Sequence, residues 1–426
     1  MTAASARDQA KQAREQDRLL VISTGDRHYR EYLLASIADH YRVHLILGAE
    51  PTWEHAYIDG WTVLDFTDTI GAEPMIAAAK ELAAREQVAG VLSWDEARIL
   101  QSAKVAQSLG LPGGDPDMVL RCRDKHLTRQ ALLAAGVPQP RSVLVESAAE
   151  ALAVAAEIGY PVVLKPRALA ASLGVVRVDD PDQLAAQFGF ARDTTVPGAW
   201  NYDAVLVEAF LTGPEISLDA AVHRGHVTEL FLARKQVDYP PYFEEVGHQV
   251  SASDPLLHDP QLLQIVQATH DALAFTDGMT HTELKLTPTG PQVVEVNARL
   301  GGDLIPYLGQ QATGIEPGRI AADIACGRPP RVRASRSRTG AVRFFYVPAP
   351  ETTVGSACFA PVEQLPPALD RAVVLAAVGS VLSPPPAGTT FGRLAFATAV
   401  AESAADCQQA LDAAEASLRL DSPVIG

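Results

Sequence analysis

The sequence predicts a chain of mixed α/β and α+β class with several domains, and three observations point that way. Over roughly the first 121 residues, short apolar runs alternate with segments of helical period, the pattern of a parallel sheet covered on both faces. From there to about residue 330, strand–loop–strand units dominate, and the composition changes again beyond that point. At 426 residues the chain has room for two or three hydrophobic cores.

The elements follow in order. "RLLVIST" (18–24) reads as a buried strand, "REYLLASIADHY" as a helix and "RVHLILG" as a second strand. "VAGVLSW" (88–94) is a further strand, and "EARILQSAKVAQSLG" a helix closed by Gly110. The turn after the first strand is "TGDRH" and not GxGxxG, so residues 18–121 are expected to form a Rossmann-like domain without the dinucleotide fingerprint. Residues 1–17 mix charges and lack an apolar h-region, which predicts a flexible leader and no signal peptide.

A helix through Leu133 should stop at Gly136, because Pro138 and Pro140 forbid its continuation. Ser147 with Glu150 has capping-box spacing at the start of the next helix. "YPVVLKPR" is then a strand ending in Lys165, "ALAASLG" a small-residue loop and "VVRV" a returning strand. That order differs from the strand–loop–helix of a Walker P-loop. "AVLVEAFLTGPEISLDAAV" gives two strands turning at Thr212–Pro214, and "HTELKLTPTGPQVVEVNAR" a hairpin. The central domain is therefore expected over 122–330. A basic, turn-rich stretch, a strand "AVRFFYV" and a strand-then-long-helix unit predict a C-terminal α+β domain over 331–426.

A net charge of −16 and a pI near 5.1 argue against nucleic-acid backbones and anionic membranes as partners. No apolar run approaches the roughly 20 residues of a membrane span. Cys122, Cys326, Cys358 and Cys407 form no CxxC pair, so reduced thiols and a cytoplasmic location are expected.

The chemistry concentrates in "VVEVNARLGGD" (293–303). Alternation places Glu295, Asn297 and Arg299 on one face and Val294, Val296 and Ala298 on the other. A five-residue link, Thr287 to Pro291, symmetric about Thr289, would set Glu283 opposite Glu295 and His281 opposite Asn297. Like charges directly opposed are destabilising, so the pair calls for a shared proton or a cation. Two carboxylates and an amide oxygen beside phosphate oxygens form a hard set suited to Mg²⁺, with Mn²⁺ as a substitute. The plain alternative is a solvated hairpin face. Gly301 and Gly302, which would let backbone N–H groups approach an anion, favour the site. Lys125 and Lys165 bracket a loop containing Ser172 and Gly174 and can clamp phosphates from two sides. Glu208, Phe210, Leu211 and Glu215 follow as candidates for the other end of a nucleotide, although a punctuated strand turn would read the same.

Taken together, Lys125, "VVLKPR…AASLGVV", "VEAFLTGPEIS", Glu283 and "EVNARLGGD" resemble the ATP-grasp superfamily of ligases over roughly residues 115–310. With "FEEVGHQVSA", the chain is most similar to the L-amino acid ligases of the bacilysin type and their carnosine-synthase relatives. The resemblance implies a central ATP-grasp fold over 122–330, in two lobes with a hinge near 200–212, with ATP and Mg²⁺ as cofactors. It implies Lys125 and Lys165 on phosphates, Glu208 on the adenine amino group, Phe210 and Leu211 at the adenine edge, and Glu215 on the ribose. Glu283, Glu295 and Asn297 would hold metal, Arg299 would face the transferred phosphoryl group, and Glu245 and His248 would line an amino-acid pocket. "ALAASLG" has fewer glycines than the usual loop. The expected activity is ADP-forming ligation of a carboxylate to an amine through an acylphosphate, on small-molecule substrates, in a chain that by resemblance forms a homodimer. A carboxylase of purine or biotin type, a phosphotransferase and a non-catalytic ATP-binding sensor are the competing readings.

Overall fold

The computed structural model describes residues 17–67, 71–195 and 202–422. Apart from Asp17, the expected leader lies outside these residues, as do residues 200 and 201 of the expected hinge region.

The strand Arg18–Ile22 lies between Arg42–Leu47 and Val88–Leu92 in a four-stranded parallel sheet, with Gly60–Val63 at one edge. All five of its residues are buried. Leu19 and Val21 enter one core and Leu20 and Ile22 another, so both faces of the sheet are covered, as the unbroken apolar run requires. The strand Gly60–Val63 and the helix Glu73–Ala83 escaped the sequence reading. "GWTV" alternates half-buried and exposed residues and carries little apolar signal.

A four-stranded and an eight-stranded sheet make up most of the rest, with two short pairs, Thr352–Thr353 with Val381–Leu382 and Ser356–Cys358 with Arg419–Asp421. The smaller is antiparallel, in the order Ser142–Val145, Val205–Ala209, Val162–Pro166, Val176–Val178. The helices Ala148–Ile158 and Pro181–Asp193 pack on it through Ala151, Ala155, Leu184 and Phe188. Ser147 caps the first of these, accepting the Glu150 N–H at 3.3 Å. Glu150 closes the box one residue early, on the N–H of Glu146 at 2.9 Å.

The larger sheet has eight antiparallel strands, ordered Gly290–Asn297, Gly278–Thr287, Glu215–His223, His226–Asp238, Glu244–Ser251, Thr339–Tyr346, Arg393–Ala401 and Leu369–Val374. The last three belong to the segment expected to form a separate C-terminal domain, yet they continue the central sheet through the pairing of Ser251 with Thr339. The helix Ala404–Ser417 covers them with Cys407, Ala410, Leu411 and Ala414. The two strands of "AVLVEAFLTGPEISLDAAV" lie in different sheets, and residues 210–214 cross between them.

The hairpin at 278–297 has the predicted pairing, Glu283 with Glu295 and His281 with Asn297, but by a different route. Its turn is the two-residue Pro288–Thr289, since Thr287 pairs with Gly290, and a bulge at Val294 restores the offset. The bulge also corrects the predicted faces: Val293 and Val296 enter the core, while Val294 lines the cleft beside Glu295.

Candidate functional site

A cleft opens between the four-stranded antiparallel sheet and the eight-stranded sheet. Twelve predicted site residues line it: Lys125, Lys165, Ser172, Glu208, Phe210, Leu211, Glu215, Glu245, Glu283, Glu295, Asn297 and Arg299. Gly174 and His248 do not. Gly174 has φ +73° and sits where a Cβ would meet Pro166 Cγ at 2.6 Å, so it shapes the base of the loop. His248 is fully buried behind Glu245.

Lys125 is the first residue of the helix Lys125–Ala134, which Asp124 caps through the N–H groups of His126 and Leu127. Its ammonium donates to Glu295 at 3.0 Å and to the Leu169 carbonyl at 2.5 Å. One lysine thus ties the hairpin to the 167–174 loop. Asp124 grips the same loop by accepting from Arg167 Nε on Oδ1 and from Nη2 on Oδ2. Within the loop, Leu169, Ala171 and Ser172 have φ of +120°, +57° and +54°, so three side-chain-bearing residues occupy conformations that glycine adopts at least cost. Here the unusual composition is visible as backbone strain.

Lys165 is buried, with its ammonium 2.8 Å from Glu208. Glu208 is also held by Arg129, at 2.6 and 3.1 Å. Burial alone would raise its pKa, yet the two cations hold it below the carboxylate range. Phe210 lies 6.3 Å from Phe243, ring to ring, and 4.5 Å beneath the Arg177 guanidinium. That flat, apolar slot suits a planar base.

At the other end of the cleft, Glu215, Glu245 and Glu283 converge on the ammonium of Lys235 at 2.8, 2.5 and 2.9 Å. Burial opposes the ionisation of Glu283, but Lys235 and His281 outweigh it and hold its carboxyl well below the usual range. Glu283, Glu295 and Asn297 therefore offer anionic and amide oxygens on one wall, and this donor set fits a hard divalent cation. Arg299 donates to Glu96 at 2.6 Å and to the Leu300 carbonyl at 2.8 Å.

Residues 158–307 match the family model of the ATP-grasp domain. The chain carries an ATP-grasp domain. It is similar to carnosine synthase 1 of Homo sapiens, with 28% identity over 253 residues, 56% of this chain and 30% of that protein. It is similar also to alanine–anticapsin ligase of Bacillus subtilis, with 27% identity over 254 residues, 54% of this chain and 52% of that protein. The matched stretches thus span about half or less of these relatives' length. A solved L-amino acid ligase from Bacillus licheniformis shares the fold, with a TM-score of 0.79, over 96% of this chain and 100% of that one, at 22% identity. Among the described residues, no helix is long and apolar enough to cross a membrane.

Several residues around the ATP-grasp cleft were not legible in the sequence. Lys235, Glu96 and Arg129 are three; Asp303 and Arg393 are two more. Arg393, from the far end of the chain, forms a bidentate pair with Asp303 at 2.7 Å for both bonds and stacks 3.6 Å from the Phe344 ring centroid. His248 Nε2 lies 3.2 Å from Glu245 and 3.5 Å from Asp303, and neither ring nitrogen makes a well-aligned hydrogen bond among the described residues. Burial lowers the affinity of His248 for its proton, but these two acids outweigh it and raise its pKa.

Beside this group Glu244 is buried and accepts a hydrogen bond from Tyr346 at 2.5 Å. Burial pushes its pKa from 4.5 up to about 7, against the lowering pull of Tyr346 and Arg393. A raised folded pKa stabilises the chain most below the unfolded value, and that gain is lost as pH rises through about 7. Glu244→Gln keeps the acceptor for Tyr346 and removes the buried charge. It is expected to stabilise the protein by about 1–3 kcal/mol at pH near 8 and by almost nothing at pH near 4.5. Denaturant unfolding at the two pH values checks this; equal effects at both would contradict it.

Proposed function

We propose that the chain is an ATP-dependent, ADP-forming ligase that joins a carboxylate to an amine, with amino acids as its substrate class. The observation that carries the reading is a convergence in one cleft. Two buried lysines, an aromatic slot, and Glu283, Glu295, Asn297 and Arg299 all line it. The similarity to carnosine synthase and alanine–anticapsin ligase supports the choice of substrates.

A carboxylate resists attack by an amine because its leaving group would be oxide. In the proposed reaction a carboxylate oxygen takes the γ-phosphoryl group of ATP, and ADP leaves. The amine nitrogen then bonds to the acyl carbon as the C–O bond to phosphate breaks, and the nitrogen gives up a proton. Phe210 and Leu211 flank the base, and Glu215 takes ribose hydroxyls. Glu208, fixed by Arg129 and Lys165, faces the adenine amino group. Lys125 and Lys165 hold phosphate oxygens as fixed charges. Glu283, Glu295 and Asn297 would hold Mg²⁺, which supplies charge neutralisation at the β- and γ-phosphates when bound. Arg299 faces the group in flight. The 167–174 loop, pinned by Lys125 and Asp124, keeps water from the acylphosphate. Glu245, backed by His248, is placed to bind or deprotonate the amine.

The test is a phosphate-release screen of the purified chain with Mg²⁺ over pairs of the twenty amino acids, β-alanine included, with mass spectrometry of products. Release that requires both an acid and an amine, and falls at least about 100-fold in Glu245→Ala, is the expected result. Release that depends on bicarbonate and no amino acid would replace the proposal with a carboxylase, and phosphate retained on the product with a phosphotransferase. ATP binding without turnover in any arm would leave a sensor.

A further inference from the structure

A buried polar chain runs behind the cleft wall, through residues that do not line it. Asp219, in the strand Glu215–His223, is paired across the sheet with His281 in the strand Gly278–Thr287. Asp219 is fully buried and His281 is 4% exposed. Asp219 Oδ1 lies 2.6 Å from His281 Nδ1, so that nitrogen donates and the ring is oriented by the contact. The other nitrogen, Nε2, then faces Glu283 Oε1 at 3.4 Å. The same Asp219 oxygen accepts the backbone N–H of Gly301 at 3.1 Å, and Arg30 holds the Gly301 carbonyl at 3.2 Å. A Cβ at position 301 would stand 2.9 Å from His281 Nδ1 and 3.0 Å from either Asp219 oxygen. Only glycine lets the loop rest on the pair.

A buried ionisable pair is a poor way to stabilise a sheet, since desolvation offsets much of the attraction and an apolar pair of equal volume does as well. Its geometry is better suited to orientation. One carboxylate fixes an imidazole on one side and a backbone N–H on the other, and each leads to a different part of the cleft.

We propose that Asp219 and His281 are positioning residues that couple two parts of the site, His281 aiming the Glu283 carboxylate and Asp219 setting the height of the Arg299–Gly302 turn. The inference rests on the reading of Glu283 as a metal-holding acid. Through it, the acid that would hold the cation and the arginine that would face the phosphoryl group keep a fixed spacing, although they sit on different elements.

Two isosteres of His281 separate the contacts. Asparagine puts an amide nitrogen near the Nδ1 position and nothing near Nε2; glutamine reaches the Nε2 position. Calorimetric titration of the full chain with ATP over a series of Mg²⁺ concentrations reads the metal requirement without turnover. In His281→Asn the Mg²⁺ concentration for half-maximal ATP affinity is expected to rise about 10-fold or more, with little change in melting temperature; in His281→Gln the rise is about 3-fold or less. In Asp219→Leu, branched alike and without an acceptor for the Gly301 N–H, hydrogen exchange of the 299–303 backbone is expected to quicken. Equal metal requirements in the two histidine variants would overturn the inference, even if both are destabilised. So would unchanged exchange at 299–303 in a folded Asp219→Leu, and should that variant not fold, the histidine pair decides. If wild-type protein binds ATP with no dependence on Mg²⁺, the metal role of Glu283 fails first and takes the inference with it.

Discussion

Replacing Lys235 by methionine is expected to cost the folded chain about 3–5 kcal/mol at neutral pH and to abolish ATP binding. The ammonium is the shared partner of Glu215, Glu245 and Glu283, and its side chain is 1% exposed. Methionine has similar length and fills the space, so the loss is almost purely electrostatic. Three carboxylates whose oxygens lie within 4.8 Å of one another would then face each other across low-dielectric space. Their protons would be held more tightly, because burial and like charge both favour the neutral acid. The sign of the pH dependence follows. With Lys235 in place Glu245 and Glu283 are held below the carboxylate range despite burial, so their contribution is present above about pH 4.5 and lost on acidification. Without Lys235 the shift reverses, and the variant should recover stability as pH falls toward 5. Urea unfolding at pH near 8 and near 5 measures both effects. Adding Glu245→Gln should return part of the loss, through removal of one repelling charge. A cost below about 1 kcal/mol at the higher pH would mean that water or backbone groups, and not Lys235, compensate these acids.

Lys235 also shows where sequence reading stopped. In the strand His226–Asp238 both faces are buried over Leu230–Ala233, so alternation does not reveal whether Arg234 or Lys235 points inward. The structure sends Arg234 to Asp254, with its side chain 42% exposed, and Lys235 into the cleft. Arg393 was hidden for another reason: its pairing with Asp303 spans ninety residues and depends on a C-terminal strand extending the central sheet. Glu96 stands beside Asp95 before a helix, and nothing local distinguishes the acid that reaches Arg299 from the one that accepts from Ser23. What was legible was local or strongly patterned. The buried run at 18–22, the lysine before Pro166 and the polar face of the hairpin are of that kind. Even there the Glu283–Glu295 pairing came out right because a shorter turn and a bulge cancel, which no residue-level signal announced.

Arg299→Lys is expected to lower turnover by about 10²–10³-fold while leaving the KM for ATP within about 3-fold of wild type. The guanidinium is set by two bonds, Nε to Glu96 and Nη1 to the Leu300 carbonyl. Among the described residues Nη2 makes no hydrogen bond, which leaves it for a ligand on the cleft wall. Burial would weaken the guanidinium's hold on its proton, but Glu96, Glu295 and Glu283 outweigh it and raise the pKa, so the charge is permanent. Lysine supplies that charge as a single flexible point and lacks the planar fork. It therefore keeps the ground-state attraction for phosphate oxygens and loses the orientation that matters as charge develops. Glu96→Gln separates positioning from charge. Its amide oxygen still accepts from Nε, so turnover should fall only about 10-fold, with the same selectivity for kcat over KM. Steady-state kinetics with ATP and acid varied in turn distinguish the cases. A rise in the KM for ATP with kcat unchanged in Arg299→Lys would place Arg299 on the bound nucleotide and not on the group in transfer.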